Sequence, residues 1–346
     1  MKRFRDYGFK VGILNTGPKN TITDVGGVLV GHFTKIEGED VRTGITIIDP
    51  GIKDLFSKKL PAAISVGNGA GKIAGSTQIE ELGTIEAPIG LTNTLAVGPV
   101  TRGLIEVVIQ NTPGVGKDDT VNVFVGETND GFLNDIHKDS LSKKDVLKAY
   151  ASRSPNFLIG NVGAGTGIRS FSFKSGMGTA SRVIEVGENK YTLGVLTQPN
   201  FRGELTILGV PVGHILEGGA RTPLRDNGSC MIVIATDAPL TSRQLKRVAK
   251  RAFFGMVRTG SVMLSGSGDY AIAFSTSRIG LEASGEVGRC LEEETLSKFF
   301  YAVADAVEES IYDSLFAAEA LTGRDGNSFD ALPKDKVVKI LKENGR

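Results

Sequence analysis

The chain has 346 residues, 40% of them hydrophobic and 23% charged, with 40 basic residues against 39 acidic ones. This is the composition of a large globular protein with an ample core. A net charge of +1 and the absence of tryptophan argue against nucleic acid or an anionic membrane as partner. The basic start "MKRFRDYGFKVGIL" lacks the apolar core of a signal peptide, and no apolar run approaches the roughly 20 residues of a membrane helix, so a cytoplasmic location is expected.

In chain order, "GGVLVGHFT" and "GITIIDP" read as strands, the second stopped by Asp49-Pro50-Gly51. "PAAISVGNGAGKIAGSTQIEELG" reads as strand, glycine turn and helix. "PVTRGLIEVVIQN" is helical, opened by proline. "VNVFVGE" and "YTLGVLTQPN" are strands. In "TPLRDNGSCMIVIATDAPL" a turn-rich run ends at Ser229, and six apolar residues follow without a break. Strands apolar along their whole length are covered on both faces, which predicts a layered α/β protein. Thr241 and Gln244 have capping-box spacing, and the helix they open carries Leu245, Val248, Ala249, Ala252, Phe253, Met256 and Val257 on one face. Lys246, Arg247, Lys250 and Arg251 occupy the other face, read as solvated rather than as a nucleic-acid patch. A last long helix is expected from about Leu296 to Leu321, closed by Gly323. The best linker candidate is residues 217–228, "EGGARTPLRDNG".

Several chemistries are disfavoured by spacing. "GNGAGK" has Val66 where a phosphate loop needs its first glycine and Ile73 where it needs Ser or Thr. Gly163, Gly165 and Gly167 lack the dinucleotide-binding spacing. Both segments read as tight turns carrying a backbone-lined pocket, in keeping with 45 glycines overall. His32, His137 and His214 are isolated, and there is no G-x-S-x-G elbow, so neither a histidine-based triad nor a zinc site is expected. Cys230 and Cys290 read as buried free thiols.

Ser229 stands between a flexible loop and a buried strand, preceded by Gly228. It is either a loop-ending serine or a self-cleaving one. In the second case its hydroxyl attacks the preceding carbonyl, and the freed α-amine, with an unperturbed pKa of about 7.7–8.0, becomes the local base in place of a histidine.

The segments "NTITDVGGVLVGH", "GNGAGKIAGSTQIEELG", "PIGLTNTLAVGPV", "VGETNDGFLNDI", "IGNVGAGTGIRSFSFKSGMGTASR", "NGSCMIVIATDAPLTSRQLKRVAKRAFFGMVRTGS", "SGSGDYAIAFST" and "AAEALTGRDGN" together resemble the self-processing L-aminopeptidase/D-esterase and β-aminopeptidase family, the DmpA-like hydrolases. The resemblance implies a single four-layer αββα sandwich over residues 1–346, of the kind shared with ornithine acetyltransferases. It further implies self-cleavage between Gly228 and Ser229 into an α chain, 1–228, and a β chain, 229–346. Ser229 falls on the family's nucleophile, Ser267 and Asp269 on its supporting serine and carboxylate, and Asn200 on an oxyanion-stabilising asparagine. Asp269 stands where the β-aminopeptidases carry glutamate, and Asn129 where well-described members have tyrosine. Asn129 and Glu127 are candidate substrate-binding residues, Glu127 as partner of a substrate ammonium or else of a neighbouring cation. The implied substrate is a small peptide, amide or ester with a free amino end, turned over without metal or cofactor by a homotetramer. A related acyltransferase and a non-catalytic, uncleaved binding protein remain as alternatives.

Overall fold

The computed structural model describes residues 2–216, 228–281, 285–286 and 288–346. The candidate linker lies outside the described residues except for Gly228. Strands β1 (Leu29–Glu37) and β2 (Val41–Asp49) open the fold as a hairpin, and β3 (Leu60–Gly69) runs through the predicted glycine turn into α1 (Ser76–Leu82). The short β4 (Thr84–Ile85) and β5 (Ile89–Asn93) lead to α2 (Val97–Asn111), β6 (Phe124–Thr128) and α3 (Lys143–Ala151). A small hairpin of β7 (Arg169–Ser170) and β8 (Phe173–Lys174) precedes the long antiparallel pair β9 (Gly178–Val186) and β10 (Asn189–Asn200). Next come the one-turn α4 (Val212–Leu216), β11 (Gly228–Thr236), α5 (Ser242–Arg258), β12 (Ser267–Ser275) and α6 (Leu296–Phe316). The hairpin β13 (Leu321–Thr322) with β14 (Ser328–Phe329) and helix α7 (Lys334–Glu343) complete the chain.

Two sheets result, ordered β1-β2-β5-β6 and β4-β3-β12-β11-β10-β9. The alternation within β11 explains their arrangement. Cys230, Ile232 and Ile234 pack in the cluster that includes Leu245, Val248 and Met256 of α5 and Val303, Val307 and Ile311 of α6. Met231, Val233 and Ala235 point the other way, into a cluster shared with Ile48, Ile89, Leu91 and Phe124 of the smaller sheet. A third cluster sets Val100, Leu104 and Val107 of α2 and Val146 of α3 against the outer face of that sheet. The order of layers is helices, sheet, sheet, helices: the expected αββα sandwich, with an apolar β11 because both its faces are covered.

The Thr241–Gln244 capping box forms, each side chain bonding the other residue's backbone N–H at 3.3 and 3.0 Å. Val257, counted with the apolar face of α5, is instead 44% exposed. At 3.6 residues per turn it lies about 100° from Met256, at the edge of the stripe. The basic face is partly engaged: Lys246 pairs with Glu80, Arg243 and Arg247 pair with Glu293, and Arg251 lies 4.2 Å from the Phe300 ring centre. The final long helix stops at Phe316, not Leu321, and Gly323 is not its cap. The side chain of Asn161 accepts from the Glu319 N–H at 3.3 Å and donates to the Glu319 carbonyl at 2.8 Å. These bonds satisfy the backbone outside the helix, and Leu321 joins a hairpin. Cys230 is buried as expected, but Cys290 is only half-buried, between β12 and α6.

Candidate active site

β11 begins at Gly228, so Ser229 is already within the strand, at the rim of the larger sheet. Its side chain shares the face of Met231 and Val233 and therefore points between the sheets. β6 crosses close to this point, and a Cβ at Gly126 would sit 2.3 Å from Met231 Cε. This approach, which only glycine permits, delivers the residues after β6 to the nucleophile candidate. The Asn129 backbone N–H donates to Ser229 Oγ at 3.3 Å. From the other side Asn200, paired with Ser229 in the β10–β11 register, donates from Nδ2 to the same oxygen at 3.4 Å. The asparagine is oriented by its other contacts: Nδ2 also donates to the Asn129 carbonyl at 2.9 Å, and Oδ1 accepts from the Arg169 N–H at 3.2 Å. Two donors therefore converge on one hydroxyl oxygen, both at the long end for hydrogen bonds, as is common before a substrate is bound.

Ser267 and Asp269 lie on the neighbouring parallel strand, where the register pairs Gly228 with Ser267 and Cys230 with Asp269. Ser229 is thereby set opposite Gly268, between the two in the register. Ser267 Oγ donates to Asp269 Oδ1 at 2.9 Å, and Asp269 Oδ2 is buried without a hydrogen-bond partner among the described residues. Burial pushes the Asp269 carboxyl up to about 6 against the opposing Ser267 hydrogen bond. A Cβ at Gly228 would lie 3.1 Å from Ser267 Oγ and 3.2 Å from Phe201, so glycine here lets the serine lie against the Gly228–Ser229 bond.

Ser229 opens onto a cavity of about 460 Å³, within the size range of small-ligand sites. Glu127 lines it, 3% exposed, and accepts from the Lys72 N–H at 3.0 Å. Burial raises its carboxyl above the ordinary range, with the Lys72 N–H and charge opposing. Lys72 directs its ammonium to Thr94 Oγ1 at 2.9 Å, and both the Lys72 charge and the Thr94 hydroxyl act on the Glu127 carboxylate. Both the cavity and the neighbouring Lys72 charge therefore lie within reach of the Glu127 carboxylate. Asn129 is also at the cavity, where its side chain accepts from the N–H of Gly131, another lining residue, at 2.9 Å. The contact of this residue with Ser229 is through its backbone N–H. Ala70 and Gly167, from the two glycine-rich turns, line the same space.

Among the described residues no histidine lines the cavity. His32 is held between Thr46 Oγ1 at 2.9 Å and the Leu158 carbonyl at 3.0 Å, and burial lowers its pKa to about 4. His137 and His214 are exposed. The described residues contain no cluster suited to a metal. Sequence reasoning missed Arg169 and Arg202 at the cavity, and the buried Asp130 and Lys174 behind it. Asp130 accepts from Asn134 Nδ2 at 3.0 Å and so braces the turn that carries Asn129. Burial raises the Asp130 carboxyl and lowers the Lys174 ammonium. A lysine inside the apolar, glycine-rich "SFSFKSGMG" was the available signal.

A family model for peptidase family S58 matches residues 20–329. The beta-peptidyl aminopeptidases BapA of Sphingosinicella xenopeptidilytica and Sphingosinicella microcystinivorans are 36% and 38% identical, over 94% and 95% of this chain and 88% and 89% of their own. A crystal structure of a protein from Pyrococcus horikoshii OT3 covers 100% of both chains, with a TM-score of 0.93 at 42% identity. The L-aminopeptidase D-Ala-esterase/amidase of Ochrobactrum anthropi, described as a prototype serine aminopeptidase with a variant of the Ntn hydrolase fold, covers 100% of this chain and 99% of its own. Its TM-score is 0.90 at 34% identity. The sheet order, the cavity at the rim of β11 and these matches lead to one conclusion: the chain belongs to peptidase family S58 and is an aminopeptidase-type hydrolase with an Ntn-hydrolase fold.

Proposed function

We propose that the chain cleaves itself before Ser229 and then uses this residue to release the N-terminal residue of small peptides, amides or esters. The observation that carries the reading is the convergence of the Asn129 N–H and Asn200 Nδ2 on Ser229 Oγ, with no histidine at the cavity among the described residues. In processing, Ser229 Oγ attacks the Gly228 carbonyl carbon, the C–N bond breaks, and the nitrogen keeps the proton released by the hydroxyl. Water then hydrolyses the ester, leaving a Gly228 carboxylate and a new amine on Ser229. This amine lies beside Ser267 and Asp269 in the strand register, where the unpartnered Asp269 Oδ2 supplies a charge partner. In turnover the neutral amine takes the Ser229 hydroxyl proton, Oγ attacks the substrate carbonyl, and the amine passes the proton to the leaving group as the C–N or C–O bond breaks. Water, deprotonated by the same amine, then hydrolyses the acyl ester, releasing the N-terminal residue as its acid and restoring the Ser229 hydroxyl. Asn200 and the Asn129 N–H hold the developing oxyanion. Glu127 receives the ammonium of the substrate. The same reading includes residues 1–228 and 229–346 as the two processed chains of one domain, within a cytoplasmic homotetramer.

The test is the intact mass of the denatured protein beside a Ser229→Ala version. Residues 1–228 and 229–346 are expected at about 24 and about 12.5 kDa, their shares of 36.6 kDa, and are absent from the alanine version. Full-length chain alone in the unmutated protein sinks the reading and favours a non-catalytic binding protein.

A further inference from the structure

The cavity is electrically asymmetric about Ser229. Glu127 lies on the β3–β12 side: it accepts from the backbone of Lys72, just past β3, and a Cβ on the neighbouring Gly71 would meet both Glu127 and the Tyr270 ring at 3.0–3.1 Å. Lys72, on this side, donates to Thr94, and its charge is shared with Glu127, so the two offset each other there. Arg169 and Arg202 lie on the β10 side, where the Arg169 N–H bonds Asn200 Oδ1 and Arg202 follows Asn200 by two residues. β11, carrying Ser229, runs between the two sides. The Arg169 guanidinium sits 5.7 Å from the Phe132 ring centre and 5.1 Å from that of Phe329, which holds its plane beside the cavity.

We propose that this polarity selects for the leaving group: the preferred substrates are dipeptides and similarly short amides whose far end is a free carboxylate, bound by Arg169 and Arg202. The proposal rests on the reading of Ser229 as nucleophile and Glu127 as ammonium partner. A substrate with its ammonium at Glu127 and its carbonyl over Ser229 extends its leaving group toward β10. The two ends of an extended dipeptide are at most about 7 Å apart, a span that a 460 Å³ cavity accommodates. A guanidinium presents paired donors to a carboxylate, which a C-terminal amide does not match in charge or geometry.

The experiment compares kcat/KM for alanyl-glycine and alanyl-glycinamide, each made with L-alanine and with β-alanine. The corresponding p-nitroanilides are run alongside. The unmutated enzyme is expected to favour the free acid by about tenfold or more, the worth of one charge-assisted hydrogen bond. Arg169→Gln and Arg202→Gln each reduce this ratio, the double variant brings it close to one, and Arg169→Lys restores part of it. Equal handling of acid and amide by the unmutated enzyme overturns the proposal, as does a preference that survives the double variant. The unmutated ratio needs no variant, so the proposal stays exposed even where a glutamine variant fails to fold. Turnover of p-nitroanilides without acid preference defeats the carboxylate site alone. No turnover of any substrate defeats it together with the reading on which it rests.

Discussion

At the scale of the residue, the site depends on groups that are ordinary in isolation and become reactive through placement. Ser229 Oγ receives two long hydrogen bonds, and the more mutable donor is Asn200 Nδ2. Asn200→Ala is expected to lower kcat for aminoacyl p-nitroanilides by about 10²-fold, the cost of removing one oxyanion donor. Steady-state kinetics on processed protein checks this, and a change confined to KM would contradict the role. Asp269 sets a pH dependence. Burial holds its carboxyl at about 6, so it is mostly neutral at pH 5 and mostly ionised at pH 7. An ionised Asp269 strengthens the hydrogen bond it accepts from Ser267 and so fixes that hydroxyl beside the Gly228–Ser229 bond. Self-cleavage of freshly unmasked precursor is therefore expected to quicken as pH rises through about 6, and Asp269→Asn to flatten the profile, as followed by electrophoresis over time. A rate independent of pH between 5 and 7 in the unmutated chain would remove Asp269 from the step. Two departures from the family pattern carry different weight. Asn129 meets Ser229 through its backbone N–H, while the aspartate at 269 accepts a hydrogen bond from Ser267.

At the scale of the element, the turn after β6 is as important as the strand that bears Ser229. Asp130 takes the Asn134 side chain, and its backbone carbonyl accepts from the N–H groups of Leu133 and Asn134 at 3.1 and 3.0 Å. Asp130→Ala loosens the segment that presents the Asn129 N–H, and a displacement of about 1 Å is enough for a loss of about 10²-fold. A drop in kcat of that order is expected, with KM much less affected; unchanged kcat would show that the turn holds itself. The start of α5 is a purely local case. Thr241→Ala removes a cap that the sequence already marks, at an expected cost of about 1 kcal/mol of stability, read from the denaturation midpoint. This element was legible because a capping box and a 3.6-residue stripe are both short-range patterns. The end of α6 was not, because hydrogen bonds from Asn161, far away in sequence, compete with continuation of the helix.

At the scale of the whole molecule, the N-terminal segment, β9 and α6 are tied by buried charge. Arg182 on β9 is fully buried and donates to Glu309 on α6 at 2.7 Å, and Glu309 also takes Arg5 and the Asn20 side chain. Arg182→Met leaves this carboxylate short of a partner in the interior, and a loss of about 3–5 kcal/mol is expected in chemical denaturation. A variant as stable as the unmutated chain would mean that Arg5 and Asn20 satisfy Glu309 without Arg182. The sequence by itself determined the layered α/β class, through strands apolar on both faces, and singled out Ser229 by the break between a turn-rich run and a buried strand. Its family pattern placed Asn200, Ser267 and Asp269 around that serine. Only the tertiary structure decided that β6 passes over β11 at Gly126, that a backbone N–H rather than a side chain at position 129 meets Ser229, and that Glu127 and the two arginines flank it on opposite sides. The reason is physical: periodicity and capping are written within a few residues of one another, whereas the register between strands and the crossing of two sheets are set by packing among residues far apart in the chain.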